Sequence, residues 1–159
     1  AADVALELIE AGDCSGVFHS MSPDDVITVM QHPMTSISSD GGIPTPGDGV
    51  PHPRNYGAFA RVLGHYVRQE NVLTLEQAIY KMTSLPASRL NLNDRGKVAE
   101  GYVADIAIFD PNSIIDTAKF GDPHHYATGV KHVLVSGTFV LMDSQQTKNK
   151  PGVALRHVK

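Results

Sequence analysis

The sequence predicts an α/β fold up to about Asn93 and a small β unit after it. Two observations carry this. Helix-like and strand-like segments alternate at the start with short connections, the pattern of a parallel sheet covered by helices. Beyond Asn93 the chain changes to short extended runs joined by glycine turns. The 159 residues, 42% hydrophobic and 19% charged, suffice for about one globular core. The expected division is 1–93 for the helix-and-strand part, 94–143 for the β unit and 144–159 for a polar tail.

In chain order, Asp3 to Ala11 places Val4, Ala5, Leu8 and Ile9 at helical spacing, and Gly12 ends the helix. Ser15 to Ser20 is a strand candidate. Ser22-Pro23-Asp24-Asp25 starts a second helix: Ser22 caps it, Pro23 takes the first helical position, and two acids meet the positive end of the dipole. Val26, Val29 and Met30 form its core face, and His32-Pro33 ends it, because a residue before proline avoids the helical region. Thr35 to Ser38 is the next strand. Two strands do not make a sheet of this kind alone, so others are expected upstream or from another chain. The sequence begins without Met, inside a helix, and reads as a piece of something longer.

Gly41 to Pro53 (GGIPTPGDGVPHP) is aperiodic and stiffened, the mark of a functional or disordered loop. Arg54-Asn55-Tyr56 leads into a helix with Phe59, Val62, Leu63, Tyr66 and Val67 inward and His65 beside that face. Thr74-Leu75-Glu76-Gln77 is a capping box opening a helix with Leu75, Ala78, Ile79 and Met82 inward. Leu85 to Leu90 forms a further helical turn. Gly96 to Val103 is extended and turned at glycines. Ala104–Phe109, Val130–Val135 and Thr138–Met142 are strands, the last two joined by the two-residue hairpin Ser136-Gly137. The tail from Gln145 drapes over a surface.

Net charge is −4, and no basic cluster reaches the density of a nucleic-acid footprint. No apolar run is long enough to span a bilayer as a helix. The single cysteine, Cys14, excludes an internal disulfide framework and fits a reducing compartment such as the cytoplasm; it reads as a buried or boundary thiol. His19, His32, His124 and His125 match no metal-ligand spacing, since a zinc site takes three or four converging ligands. The expected partner is a small molecule, with self-association through exposed strand edges as a further expectation.

Ile37-Ser38-Ser39-Asp40-Gly41-Gly42 is the stretch with most chemical content. An acid at the end of an apolar run, followed by a long shaped loop, suits the mouth of a sheet. Asp-Gly is equally a common turn signal. Read alone, Asp40 is either.

Beyond single residues, a longer order emerges. It runs Ser39-Asp40-Gly41, a Pro/Gly loop, His52-Pro53-Arg54-Asn55-Tyr56-Gly57-Ala58-Phe59, Arg61-Val62-Leu63-Gly64, then Ser84-Leu85-Pro86-Ala87, Gly96-Lys97-Val98-Ala99-Glu100-Gly101 and Ala104-Asp105-Ile106-Ala107-Ile108-Phe109-Asp110. Together these resemble the C-terminal part of the D-aminoacylases, the N-acyl-D-amino-acid deacylases of the amidohydrolase superfamily. The resemblance reaches to about Met142. The Gly-Lys-Val and Ala-Asp-Ile stretches are typical of the superfamily; the His-Pro-Arg-x-Tyr-Gly run is more specific to the deacylases.

The resemblance implies the last two β/α units of a (β/α)8 barrel, with Ser15–Ser20 and Thr35–Ser38 as its seventh and eighth strands, followed by the C-terminal share of a small β domain. It implies a zinc-dependent amidohydrolase acting on N-acyl-D-amino acids. Asp40 would be the catalytic acid/base beside the metal and a possible ligand; the family's other ligands lie upstream of this stretch. Arg54 would read the substrate's α-carboxylate through two parallel bonds, or anchor the loop. His52 and Tyr56 would line the same pocket, or pack. By itself the chain is expected to be inactive. The competing readings are a non-catalytic binding or assembly domain derived from that family, and a different cyclic amidohydrolase of hydantoinase type.

Overall fold

The computed structural model describes residues 2–12 and 16–156. Cys14 and Ser15 lie outside them. Helices α1 (Ala2–Glu10) and α2 (Pro23–Gln31) form where the periodicity and the Pro23 signal place them. Gly12 ends the first at φ +68°. Neither helix contains a buried residue. Ser22 stands at the N-cap of α2, but its hydroxyl makes no capping bond; only its carbonyl takes up the Val26 N–H. Val26 and Met30 are half-buried, whereas Val29 is exposed. The predicted three-residue face is therefore narrower.

Neither expected barrel strand forms a ladder: 16–20 and 35–38 are irregular, and among the described residues the one sheet is antiparallel. The reason is pairing. A strand is stabilised by a neighbour, and none of the described segments pairs with these two as one. The second segment is instead held by Lys81, whose ammonium is buried and donates to the His32 and Thr35 carbonyls, while the Lys81 carbonyl accepts the Ile37 N–H at 2.9 Å.

Helix α3 (Arg54–Arg61) continues without a break into a π-helix, Val62–Gln69. One face of this rod carries Gly57, Arg61, Gly64 and Arg68. Segment 111–118 lies directly on it. A Cβ at Gly57 would come within 2.6 Å of Asp116 Cβ, and one at Gly64 within 2.4 Å of Ile115 Cδ1. Arg61 pairs with Asp116 at 3.1 Å, and Arg68 donates to the Pro111 and Ile114 carbonyls. This close approach decides which face is buried. Ala60, Val62 and Leu63 go inside, and Phe59, expected inside, stays 45% exposed.

Helix α4 (Leu75–Met82) starts with the predicted capping box: Thr74 Oγ1 accepts the Gln77 N–H and Gln77 Oε1 accepts the Thr74 N–H. Helix α5 (Ser84–Arg89) is the expected further turn. The sheet runs β1 (Ile106–Phe109), β2 (Val130–Val135), β3 (Thr138–Met142) and β4 (Gln145–Gln146), antiparallel and in that order. Ser136 and Gly137 both have positive φ, as the tight β2–β3 turn demands. Strand β4 falls in the stretch read as tail. The core joins Ala60, Val62, Leu63, Leu73, Ala78 and Ile114, with Ile37, Phe109 and Val130 packed against it. No helix among the described residues is long and apolar enough to cross a membrane.

Candidate active site

Asp40 follows a stretch whose exposure alternates: Thr35, Ile37 and Ser39 are half-buried, and Ser36, Ser38 and Asp40 are exposed. Ile37 anchors this stretch in the core. At Asp40 the backbone turns to φ +46°, a region that Asp tolerates better than most residues. The start of α3 then grips the turn. Asn55 Oδ1 accepts the Gly42 N–H at 2.9 Å, and a Cβ on Gly41 would crowd Asn55 Cα at 3.2 Å. A side chain at 41 would require the Asn55 end of α3 to give by a few tenths of an ångström.

That grip brings Arg54 to Asp40, with Arg54 Nη2 3.0 Å from Asp40 Oδ2. Both side chains face solvent, Asp40 with 82% of its side chain exposed. They stand at a cleft of about 590 Å³ whose walls include Phe18, Met21, Val50, Pro51 and His52. One nitrogen of the guanidinium meets Asp40, leaving further donors for an anion.

His52 has two contacts of different kinds. Its ring lines the cleft, and its Nδ1 accepts the Arg54 N–H at 3.0 Å, satisfying a donor at the first turn of α3. Its pKa lies below the usual 6.5: burial disfavours the cation first, then the Arg54 and His19 charges, against an opposing pull from Asp40. The neutral ring is the form that accepts the Arg54 N–H. Phe120 stacks edge-on against both His52 and His19, with centroids 5.1 and 4.5 Å apart.

Tyr56 does not join this group. Its hydroxyl is 2.7 Å from His124 Nδ1 and its ring packs against Tyr126. The structure thus brings together Asp40, Arg54 and His52 and sets Tyr56 apart. His125 pairs with Asp122 at 2.9 Å, so the two adjacent histidines do different things. Sequence reasoning gave Asn55 and Phe120 no role and weighed His124 only as a metal ligand. Only Asn55 left a local signal, an amide directly after the arginine and facing a Gly-Gly corner.

A zinc site needs three or four converging ligands. No group of three His, Cys, Asp or Glu side chains able to hold a metal exists among the described residues. Asp40 contributes one carboxylate and is paired with a cation. These residues do not fit a metal by themselves; what they assemble is a carboxylate beside a guanidinium at the cleft.

Comparison with known proteins now adds to this geometry. A model described as the amidohydrolase family matches residues 16–141. The chain is 40% identical over 156 residues to an N-acyl-D-glutamate deacylase of Alcaligenes xylosoxydans xylosoxydans, covering 98% of this chain and 30% of the relative. Its fold is similar to the crystal structure of a D-aminoacylase, with TM-score 0.75 and 42% identity over 81% of this chain and 27% of that one. It is similar as well to an N-acyl-D-glutamate deacylase from Bordetella bronchiseptica solved with zinc and a phosphonate mimic of the tetrahedral intermediate (TM-score 0.70, 42% identity, 76% of this chain and 25% of that one). The chain spans about 30% of the length of the curated deacylase it matches.

Proposed function

The chain belongs to the amidohydrolase family, and from that premise we propose that it is the C-terminal part of a metal-dependent enzyme hydrolysing N-acyl-D-amino acids to a carboxylate and a free D-amino acid. The observation that carries this reading is the Asp40–Arg54 pair. In an N-acyl amino acid the α-carboxylate and the scissile amide nitrogen hang on the same carbon. A group that protonates that nitrogen and a cation that holds that carboxylate must therefore be neighbours. Asp40 and Arg54 are, at 3.0 Å.

An amide is a poor electrophile with a poor leaving group. Its hydrolysis calls for a base that removes a proton from the attacking water and an acid that delivers one to the departing amine. Asp40 fills both roles in turn, its carboxylate open to solvent at the cleft. Arg54 holds the α-carboxylate and orients the amide toward Asp40. His52, neutral and half-buried, forms a wall. Tyr56 acts at one remove, through the loop that its histidine partner holds. Zinc, named with the Bordetella relative, would rest on ligands outside the described residues, with Asp40 the one carboxylate this stretch offers it. Residues 16–20 and 35–38 would be the last two barrel strands, paired with strands outside this chain, and 94–143 the share of the β domain. The alternating exposure from Thr35 to Asp40 supports the strand assignment.

The test is Asp40→Asn in the full-length protein. Asparagine keeps the size and takes no proton. Turnover of an N-acyl-D-amino acid falls by at least about 10²-fold with KM little changed. Turnover near that of the parent removes Asp40 from the chemistry.

A further inference from the structure

The 43–51 stretch of the long loop, which carries Val50 and Pro51 of the cleft wall, rests on one ring. Asn55 ties the loop at Gly42, and His52 ties its other end to Arg54. Between these two anchors, the hydrogen bonds that leave the loop among the described residues both end on His124. His124 Nε2 is 3.0 Å from the Gly49 carbonyl, which can only accept, so Nε2 carries the proton. Nδ1 is then bare. It accepts the Gly47 N–H at 3.2 Å and the Tyr56 hydroxyl at 2.7 Å. The Gly49 carbonyl and the Gly47 N–H thus select one neutral tautomer, and the Tyr56 hydroxyl, able to donate or accept, follows it. Gly47 and Gly49 have φ of +84° and +62° and nothing within 4 Å of where a Cβ would stand. The 45–48 turn is closed by its own Asp48 N–H to Thr45 carbonyl bond at 3.0 Å, and the imidazole is what fastens it to the body of the chain.

We infer that His124 is a positioning residue for the substrate-facing wall: as the neutral, Nε2-protonated ring it fixes Gly47 and Gly49 and so sets Val50 and Pro51 against Asp40 and Arg54. It touches neither reacting atoms nor the Asp40 carboxylate. The claim that this wall meets a substrate rests on the proposed function; the claim that His124 holds the loop does not.

Two measurements on the full-length protein separate them. In ring ¹⁵N spectra of the wild type, His124 shows a bare Nδ1 and a protonated Nε2, and the Gly47 amide exchanges slowly. His124→Phe keeps the ring against Tyr56 and removes both nitrogens. Gly47 exchange then speeds up and KM for an N-acyl-D-amino acid rises by about five- to tenfold, the worth of one or two hydrogen bonds, with kcat within about twofold. His124→Gln offers one acceptor and one donor at similar spacing and restores much of both. A protonated Nδ1 in the wild type, unchanged Gly47 exchange in His124→Phe, or a loss in kcat rather than KM overturns the inference. An inactive wild type defeats the functional reading instead, and the ring spectrum and Gly47 exchange then still decide whether His124 holds the loop.

Discussion

The opening helices and the helix–sheet body of this chain are built on different terms. In α1 and α2 no residue is buried, and Leu6 and Ile9 face outward; between the two helices Phe18, at the cleft, has 87% of its surface exposed. In the body, Ile114 is 3% exposed and sits where two arginines and two glycines of one rod clasp the chain crossing it. Asp40 stands at the seam. Ile37 and Lys81 attach its segment to the body, and Arg54 and Asn55 reach it from the body, while the segment itself forms no ladder with any described residue. The carboxylate and the guanidinium that meet at 3.0 Å thus come from segments packed to different degrees. Arg54 rides on the first turn of a helix that continues into the core, whereas the segment before Asp40 is irregular and held at few points.

The difference can be broken most completely by assay of the 159 residues alone. With the Asp40 segment unpaired and no metal group among the described residues, the purified chain releases no free D-amino acid from an N-acetyl substrate, with or without added zinc. Release above background contradicts it. Next in size is a matched pair of truncations measured by denaturant unfolding. Ile114→Ala removes a buried side chain and costs about 2–5 kcal/mol. Leu6→Ala, at a position 59% exposed, changes stability by about 0.5 kcal/mol or less. Equal losses would mean that the opening helices are packed after all.

Smaller again is Arg54→Lys in the full-length protein. Lysine keeps the charge and loses the fork, and binding of an N-acyl-D-amino acid weakens by about 1.5–3 kcal/mol, the scale of a hydrogen bond to a charged group. An N-acyl amine lacking the carboxylate loses much less. Equal losses on the two substrates return Arg54 to pinning the loop. The smallest effect is the pH dependence of His52. Its pKa is lower in the folded protein than the usual 6.5. The unfolded chain therefore binds the proton more tightly, and stability rises with pH through that interval. The contribution is fully present above about 6.5 and is lost as pH falls through the lowered value. His52→Gln flattens this part of the profile, read as the melting-temperature difference between the two proteins from pH 7.5 to 5. An unchanged profile removes His52 as its source.

Local chemistry made much of the fold legible. The Thr74–Gln77 capping box, the stop at His32-Pro33, the Ser136-Gly137 hairpin and the bounds of β2 and β3 all follow from bonds or steric limits within a few residues, which a sequence displays directly. Phe59 and Val29 were misplaced because helical spacing reports a face but not which neighbour lies on it. Gly57 and Gly64, seven apart, let segment 111–118 come to backbone contact and turn the rod's buried side away from its largest apolar residue.

The same division runs through the site. Asp40, Arg54 and His52 were singled out by their order along the chain and by the family that order resembles, and the family is shown by the match over residues 16–141. Their meeting was not in the sequence. It depends on Asn55 closing over Gly41 and Gly42 and on Lys81 holding the segment before Asp40, while His124, far along the chain, bonds the loop at Gly47 and Gly49. Sequence determines what is fixed by bonds between near neighbours and by inherited motif. Contacts between residues a dozen or more positions apart are decided only once burial and close approach select one packing, and here that packing sets an acid beside a guanidinium, turns Tyr56 to His124, and brings that histidine against the long loop.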